Sequence, residues 1–119
     1  MTEPMILHIT TRTEWEGART LGEYRAPSLE TEGFIHCSTV EQVLRVANRF
    51  YVGAADLVVL HIAPERVRAE IKWELPTMSD PLAGEKFPHI YGPLNVEAVI
   101  AAHAFRADED GVYRNLPQP

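Results

Sequence analysis

The chain has little cysteine, little positive charge and no long apolar run. Cys37 is the single cysteine among 119 residues, which excludes a disulfide within the chain. The opening residues M-T-E-P-M-I-L-H lack the basic start and the apolar segment of a signal peptide. The longest apolar runs, at 57–60 and 98–105, are too short to span a membrane. We therefore expect a cytoplasmic protein with no membrane partner.

Basic residues are outnumbered along the whole chain. The 11 Lys and Arg residues are set against 17 Asp and Glu residues, which gives a net charge of -6. Neither half of the sequence carries a basic tail or patch of the kind that neutralises nucleic-acid phosphates. These features argue against nucleic acid as a partner, and a small-molecule ligand is the expected one.

What is present is the composition of an ordinary folded domain. Hydrophobic residues make up 45% and charged residues 24% of the sequence, close to average globular usage. A length of 119 residues corresponds most simply to one domain. We expect its core over about 5–106 and a weakly ordered tail over 107–119.

Hydrophobic periodicity predicts five strands and two helices. The predicted strands lie at residues 5–10, 33–38, 56–63, 67–75 and 98–105. One helix is expected between a capping box at Thr13 and Glu16 and a stop at Gly22. A second follows a capping box formed by Ser38 and Glu41. The elements predict an α+β fold, with a mixed or antiparallel sheet, continuous or split, of about five or six strands and two helices.

Two segments are predicted to be loops. Residues 23–32 contain a proline, a serine and several glutamates, which favour irregular structure. The stretch between Leu75 and Asn95 contains four prolines and two glycines. Loops of this length are uncommon in compact domains and are usually functional or disordered. We expect the second half of this loop to be anchored by its apolar side chains.

The stretch G-F-I-H-C-S-T at 33–39 contains the first candidate site. Strand alternation places Phe34, His36 and Ser38 on one face and Cys37 on the other. This geometry disfavours a Cys–His nucleophile pair, so Cys37 is predicted to be a buried core residue. His36 precedes a helix N-terminus and is either a neutral ligand contact or a satisfied structural histidine. Ser38 is either the helix cap or a ligand-binding hydroxyl.

The stretch F-P-H-I-Y-G-P at 87–93 contains the second. Its prolines favour extended geometry, which would place Phe87, His89 and Tyr91 on one side. Aromatic rings around an imidazole can stack on a flat heterocycle and bind its edge, although such rings also pack on cores. Glu74, at the start of the same loop, is the candidate catalytic carboxylate, and a solvated surface residue is the alternative.

A further candidate lies on the helix that follows His36. Gln42, on the polar side of that helix, is predicted to bind the ligand. His8, His61 and His103 lie within apolar strands, and we interpret all three as structural.

Several motifs resemble the bacterial family called domain of unknown function 952. These motifs are G-F-I-H-C-S-T, E-Q-V, W-E and F-P-H-I-Y-G-P-L, and the similarity extends from about Met5 to Phe105. The resemblance implies no established activity. It does imply a fold grouped with the ADP-ribosyltransferase-like proteins, which bind NAD in a cleft of a split β-sheet.

The resemblance also implies roles for individual residues. In ADP-ribosyltransferases with a His-Tyr-Glu triad, a histidine in an H-x-[ST] motif contacts the nicotinamide ribose. A tyrosine stacks on nicotinamide and a glutamate orients the ribose. I-H-C-S is similar to the histidine motif, which assigns His36 and Ser38 to it and leaves Tyr91 and Glu74 for the other two roles.

The leading hypothesis is a nucleotide-type ligand site, with NAD as the candidate substrate, between His36 and the loop carrying His89 and Tyr91. If a bond is broken there, Glu74 would stabilise an oxocarbenium-like ribosyl cation. Two alternatives stay open. One is a non-catalytic binding or sensor module. The other is a metal-assisted hydrolase using His36, His89 and Glu74, whose donor types suit zinc but whose spacing matches no metal motif.

Overall fold

Within residues 4–76 and 84–119, which the computed structural model describes, eight strands and three α-helices form an α+β fold. The strands are β1 (Ile6–Thr11), β2 (Glu23–Tyr24), β3 (Ile35–His36), β4 (Leu57–Ile62), β5 (Glu70–Glu74), β6 (Phe87–Tyr91), β7 (Leu94–Asn95) and β8 (Val99–Phe105). The helices are α1 (Arg12–Leu21), α2 (Pro27–Thr31) and α3 (Val43–Phe50). The prediction of an α+β class is confirmed, whereas the expected five or six strands and two helices are too few.

The strands pair antiparallel in sheets of order β1-β4-β8, β2-β7 and β3-β6-β5. The apolar run of β4 is buried at every position and lies in the centre of its sheet, as such a run predicts. A bridge between Leu7 and Ser38 joins the β1-β4-β8 and β3-β6-β5 sheets. Each backbone N–H of this pair donates to the other carbonyl at 2.8 Å. The strands are thus divided between sheets that meet at this bridge.

Strand β6 lies where the sequence predicts a loop. It is the middle strand of its sheet, and Pro88 within it accepts a hydrogen bond from the Cys37 N–H at 3.0 Å. Proline cannot donate to a strand ladder and is normally confined to sheet edges. Pro88 and its neighbours therefore predicted a loop in place of this strand. The predicted loop at 23–32 also contains two short elements, the strand β2 and the helix α2, which the sequence did not predict.

Both long helices begin at other residues than the capping patterns predict. Thr11, not Thr13, caps α1, and its hydroxyl accepts from the Glu14 N–H at 3.1 Å. At the other end Gly22 adopts a left-handed conformation with φ 89°, as the predicted stop requires.

The other long helix, α3, begins at Val43. A reciprocal pair precedes it, in which the Gln42 N–H donates to Thr39 Oγ1 and the Thr39 N–H donates to Gln42 Oε1. The predicted Ser38–Glu41 box is wrong because the backbone of Ser38 is already paired with β1.

The core lies on both faces of the β1-β4-β8 sheet. One face packs on α1, β2, β3 and β6, and Ile35 and Cys37 lie in this cluster. The burial of Cys37 is therefore confirmed. The other face packs on α3 and on Tyr113.

The segment 107–119 is attached to the core at Tyr113, which is buried. The Tyr113 N–H donates to Asn48 Oδ1 at 2.8 Å, and Asn48 Nδ2 donates back to the Tyr113 carbonyl at 2.9 Å. The Tyr113 hydroxyl donates to the carbonyl of Tyr51. Tyr113 thus attaches the segment 107–119 to the core.

Strand β5 is shorter and less covered than its alternation predicts. Val67, Ala69 and Ile71 pack against the core, as expected for the apolar face. Trp73 and Leu75, at the far end, keep half of their surface exposed. No helix in the described ranges is long and apolar enough to cross a membrane.

Candidate functional site

A cavity of about 430 Å³ lies beside the bridge that joins β1 and the end of β3. Parts of β1, β2, β3 and β6, the start of α2 and the end of α3 contribute to its wall. Its volume falls within the range of small-molecule sites. Most of the wall is apolar, and its polar side chains include His8, Thr10, Glu14, Tyr24, His36, Ser38 and His89.

Three of the six predicted site residues line this cavity. His36, Ser38 and His89 belong to its wall. Glu74, Tyr91 and Gln42 are not among its described lining residues.

The two candidate stretches are brought together by strand pairing. β3 and β6 run antiparallel with His36 opposite His89, and their rings meet edge to face at 5.4 Å between centroids. Phe34 stacks on His89 at 4.1 Å and contacts the edge of His36 at 4.8 Å. The predicted shared face of Phe34 and His36 is thus confirmed. His36 itself is half exposed, and its Nε2 lies 3.0 Å from a Glu32 carboxylate oxygen.

Glu74 holds the buried imidazole of His89 in place. His89 Nδ1 donates to Glu74 Oε1 at 2.9 Å, and the Tyr91 hydroxyl donates to the same oxygen at 2.5 Å. These bonds, that from Tyr91 first, lower the pKa of Glu74, and the same carboxylate raises the pKa of Tyr91. With Nδ1 as the donor, the neutral imidazole presents Nε2 as an acceptor. A carboxylate–imidazole pair of this kind orients a base or a ligand contact.

Gln42 is buried, and protein groups occupy its side-chain amide. Its Oε1 accepts from the Thr39 N–H, and its Nε2 donates to the Lys86 carbonyl at 2.9 Å. Arg45 forms an ion pair with Glu85 next to it. The amide therefore fixes the chain just before β6.

Sequence reasoning missed His8, whose imidazole lies in the cavity wall. Its Nδ1 donates to the His36 carbonyl at 2.5 Å, and its Nε2 lies 2.8 Å from the Tyr24 hydroxyl. The Tyr24 oxygen lies 3.0 Å from Thr10 Oγ1, which lies 2.9 Å from a Glu14 carboxylate oxygen. A signal was present in β1, because strand alternation separates His8 and Thr10 from their apolar neighbours and gives them one face.

Burial controls the protonation of this wall. Desolvation lowers the pKa of His8 to about 4, against a smaller opposing effect of its bond to the His36 carbonyl. It raises the pKa of the Tyr24 hydroxyl and of the Cys37 thiol. A buried neutral thiol is a poor nucleophile, so Cys37 lines the cavity as a small apolar residue.

A metal-assisted hydrolase would need several side chains placed to bind a metal ion. In the part of the chain that the structure describes, no group of three or more His, Cys, Asp or Glu side chains is placed to hold a metal ion. His36, His89 and Glu74 come together in the same region, but Glu74 Oε1 is hydrogen-bonded to His89 Nδ1.

The chain is similar to solved structures of one bacterial protein. The crystal structure of protein CC0527 from Caulobacter crescentus is 33% identical, with a TM-score of 0.80 over 92% of this chain and 93% of that chain. The solution NMR structure of CC0527 gives a TM-score of 0.78 at the same identity, over 92% and 91% of the two chains. No curated protein is significantly similar in sequence. Residues 9–102 match the model of the family described as "Protein of unknown function (DUF952)", and the chain belongs to that family.

Proposed function

We propose that this protein binds a small molecule with a flat ring and a hydrogen-bonding edge in the cavity beside β3. The observation that supports this proposal is a cavity of about 430 Å³ whose largely apolar wall contains the imidazoles of His36 and His89. Ligand sites commonly combine an apolar wall with a few placed polar groups. Here the polar edge of the ligand would bind His36, Ser38 and His89.

The charges around the cavity favour a neutral or cationic ring over a phosphate-rich ligand. Its described lining contains Glu14 but no lysine or arginine. Segments 1–3 and 77–83 contain neither residue type, so they cannot supply one. Phosphate recognition usually uses Arg, Lys or a helix N-terminus, and the two helices that begin at this wall, α1 and α2, carry Glu14 and Glu30 in their first turns. A nucleoside such as nicotinamide riboside, whose ring is positively charged, therefore fits better than the pyrophosphate of NAD.

Group transfer is the second candidate, and the Glu74–His89 pair favours it. The family resemblance implies an ADP-ribosyltransferase-like site in which Glu74 would stabilise a ribosyl cation. The contacts of Glu74 support a different role, because its carboxylate binds His89 and Tyr91 and is not part of the described cavity wall. In a reaction, His89 would accept a proton at Nε2, and Glu74 would position its ring and stabilise the imidazolium.

An amide NMR titration tests the binding function. Nicotinamide riboside, adenosine, nicotinamide and NAD are added separately to ¹⁵N-labelled protein. We expect saturable shifts at residues 36–38 and 87–91 with a nucleoside, and weaker ones with NAD. The absence of saturable shifts with all four compounds would refute a nucleoside-type ligand.

Two substitutions separate binding from chemistry. His36→Ala should weaken nucleoside binding about tenfold because it removes one hydrogen-bonding contact of about 1–2 kcal/mol. His103→Ala, on the exposed part of β8, is the matched control and should bind as the wild type does. If the protein cleaves the nucleoside, Glu74→Gln should bind but lose turnover. Binding without turnover in both the wild type and Glu74→Gln would leave a binding module.

A further inference from the structure

One wall of the cavity contains an unbroken series of polar contacts. It starts at the His36 carbonyl, passes through His8, Tyr24 and Thr10, and ends at the carboxylate of Glu14. The four contacts measure 2.5, 2.8, 3.0 and 2.9 Å in that order. All are within hydrogen-bond distance. His8, Thr10 and Tyr24 are buried, whereas Glu14 is exposed at the outer end.

The number of protons does not match the number of contacts when His8 is neutral and Glu14 is ionised. A carbonyl can only accept, so the proton of neutral His8 must lie on Nδ1, and Nε2 carries none. The Tyr24 hydroxyl donates to Thr10, and Thr10 donates to the Glu14 carboxylate. Tyr24 has only one proton, so its contact with His8 Nε2 then has none.

One additional proton completes the series. It can be carried by Glu14 as a carboxylic acid, so that Glu14 donates to Thr10, Thr10 to Tyr24 and Tyr24 to His8 Nε2. It can equally be carried by His8 as an imidazolium, which reverses the donors, so that His8 donates to Tyr24, Tyr24 to Thr10 and Thr10 to Glu14. Each arrangement makes all four hydrogen bonds, and they differ only in the direction of the three inner ones.

We propose that Glu14, Thr10, Tyr24 and His8 form a proton relay that carries a proton between the surface and the buried imidazole of His8. In one transfer the Glu14 carboxylic acid gives its proton to Thr10, Thr10 gives its own to Tyr24, and Tyr24 gives its own to His8 Nε2. The products are a Glu14 carboxylate and a His8 imidazolium, so net charge is conserved. Exchange with a cavity ligand would rest on the proposed binding function, but the relay itself does not.

The surroundings bias the relay away from the imidazolium. Burial lowers the pKa of His8, so the additional proton is disfavoured at that end. The Tyr24 hydroxyl, whose pKa is raised by burial, stays neutral and passes a proton without ionising. Other titratable groups that face the relay are His36, Cys37, Tyr51 and His89.

An NMR pH titration of the ligand-free protein tests the relay. The ring ¹⁵N signals of His8 and the side-chain carboxyl ¹³C signal of Glu14 are followed together from about pH 3.5 to 8. Because both residues belong to one hydrogen-bonded series, we expect the two signals to change with a common midpoint. In Glu14→Gln the amide donates to Thr10 at every pH. The His8 Nε2 signal should therefore lose the pH-dependent change that follows Glu14.

Three further variants make the test specific. Glu16→Gln, an exposed change on the same helix, should keep the wild-type profile of His8. Thr10→Val keeps the side-chain shape but breaks the series, so the Glu14 signal should titrate without a response at His8. Tyr24→Phe breaks it at another link and serves if Thr10→Val does not fold.

Two results would overturn the proposal. One is a His8 profile in Glu14→Gln that equals the wild-type profile, and the other is separate midpoints for His8 and Glu14 in the wild type. Because no ligand is added, neither result bears on nucleoside binding. A failure of the relay and a failure of the proposed function are therefore distinguishable.

Discussion

The buried imidazole of His8 should make the protein sensitive to acid. We predict that the free energy of unfolding falls as the pH is lowered from about 6.5 toward 4. Replacing His8 by Gln should remove that part of the pH dependence. A Gln amide can donate to the His36 carbonyl and accept from Tyr24, so it can replace both imidazole contacts without titrating.

The sign and size of this change in the free energy of unfolding follow from the pKa of His8 in the unfolded and native proteins. An unfolded histidine has a pKa near 6.5, whereas burial lowers the pKa of His8 to about 4 in the native protein. Between these values the unfolded state binds a proton that the native imidazole does not. The stabilisation is therefore fully present above about pH 6.5 and is lost as the pH falls through about 4. Each pH unit changes stability by about 1.4 kcal/mol, so the whole interval corresponds to about 3 kcal/mol.

Urea unfolding at a series of pH values, followed by the fluorescence of the buried Trp15, measures this effect. The comparison is best made in a Glu14→Gln background, so that the carboxylate at the far end of the polar series does not titrate. His61, whose pKa is also lowered by burial, is present in both proteins and cancels. His103→Gln is the control at an exposed histidine. Equal pH dependence with Gln or His at position 8 would refute the assignment.

Two further predictions concern packing. Phe34→Leu keeps most of the buried volume but removes the stack on His89, so it should reduce the free energy of unfolding by about 1 kcal/mol in urea unfolding. The exposed change Phe50→Leu should have almost no effect, and equal losses in both variants would contradict this role of Phe34. Asn48→Ala removes both side-chain bonds to Tyr113 and should cost about 2 kcal/mol. It should also speed hydrogen exchange of the Tyr113 amide, and unchanged exchange would refute the anchoring role.

The sequence was most informative where a strand is long and its side chains are buried on both faces. The apolar runs that became β1 and β4 are sufficient to predict strands, because few other structures bury every side chain of such a run. The face assignment around His36 was equally reliable, since alternation is a property of the extended backbone. These regular features predicted one side of the site.

Other features depend on contacts between distant parts of the chain. The sequence did not predict strand β6 because of Pro88, which offers the neighbouring strand a carbonyl acceptor for the Cys37 N–H but no donor. The capping box at Ser38 satisfied a local pattern, but pairing with Leu7 already occupied that backbone. Local patterns cannot show such competition.

His8 illustrates the same limit within the site. Its position in an apolar strand favoured a structural role, because most such histidines are satisfied core residues. Only the approach of β2 and α1 places Tyr24 and Glu14 in one polar series with it. The sequence left Glu74 either as a catalytic carboxylate or as a solvated surface residue, because the geometry that turns its carboxylate toward His89 and Tyr91 required β6 to be a strand.

The bridge between Leu7 and Ser38 has a mechanical consequence. Two backbone hydrogen bonds join the β1-β4-β8 and β3-β6-β5 sheets beside the cavity, and Ile35 and Ile90 pack in one core cluster with β1 and β4, so the sheets cannot tilt against each other without repacking that core. Amide hydrogen exchange at Leu7 and Ser38 would report how often the bridge opens, because exchange follows local opening rather than global unfolding. The width of the cavity beside the bridge is thus set by the same contacts that stabilise the core.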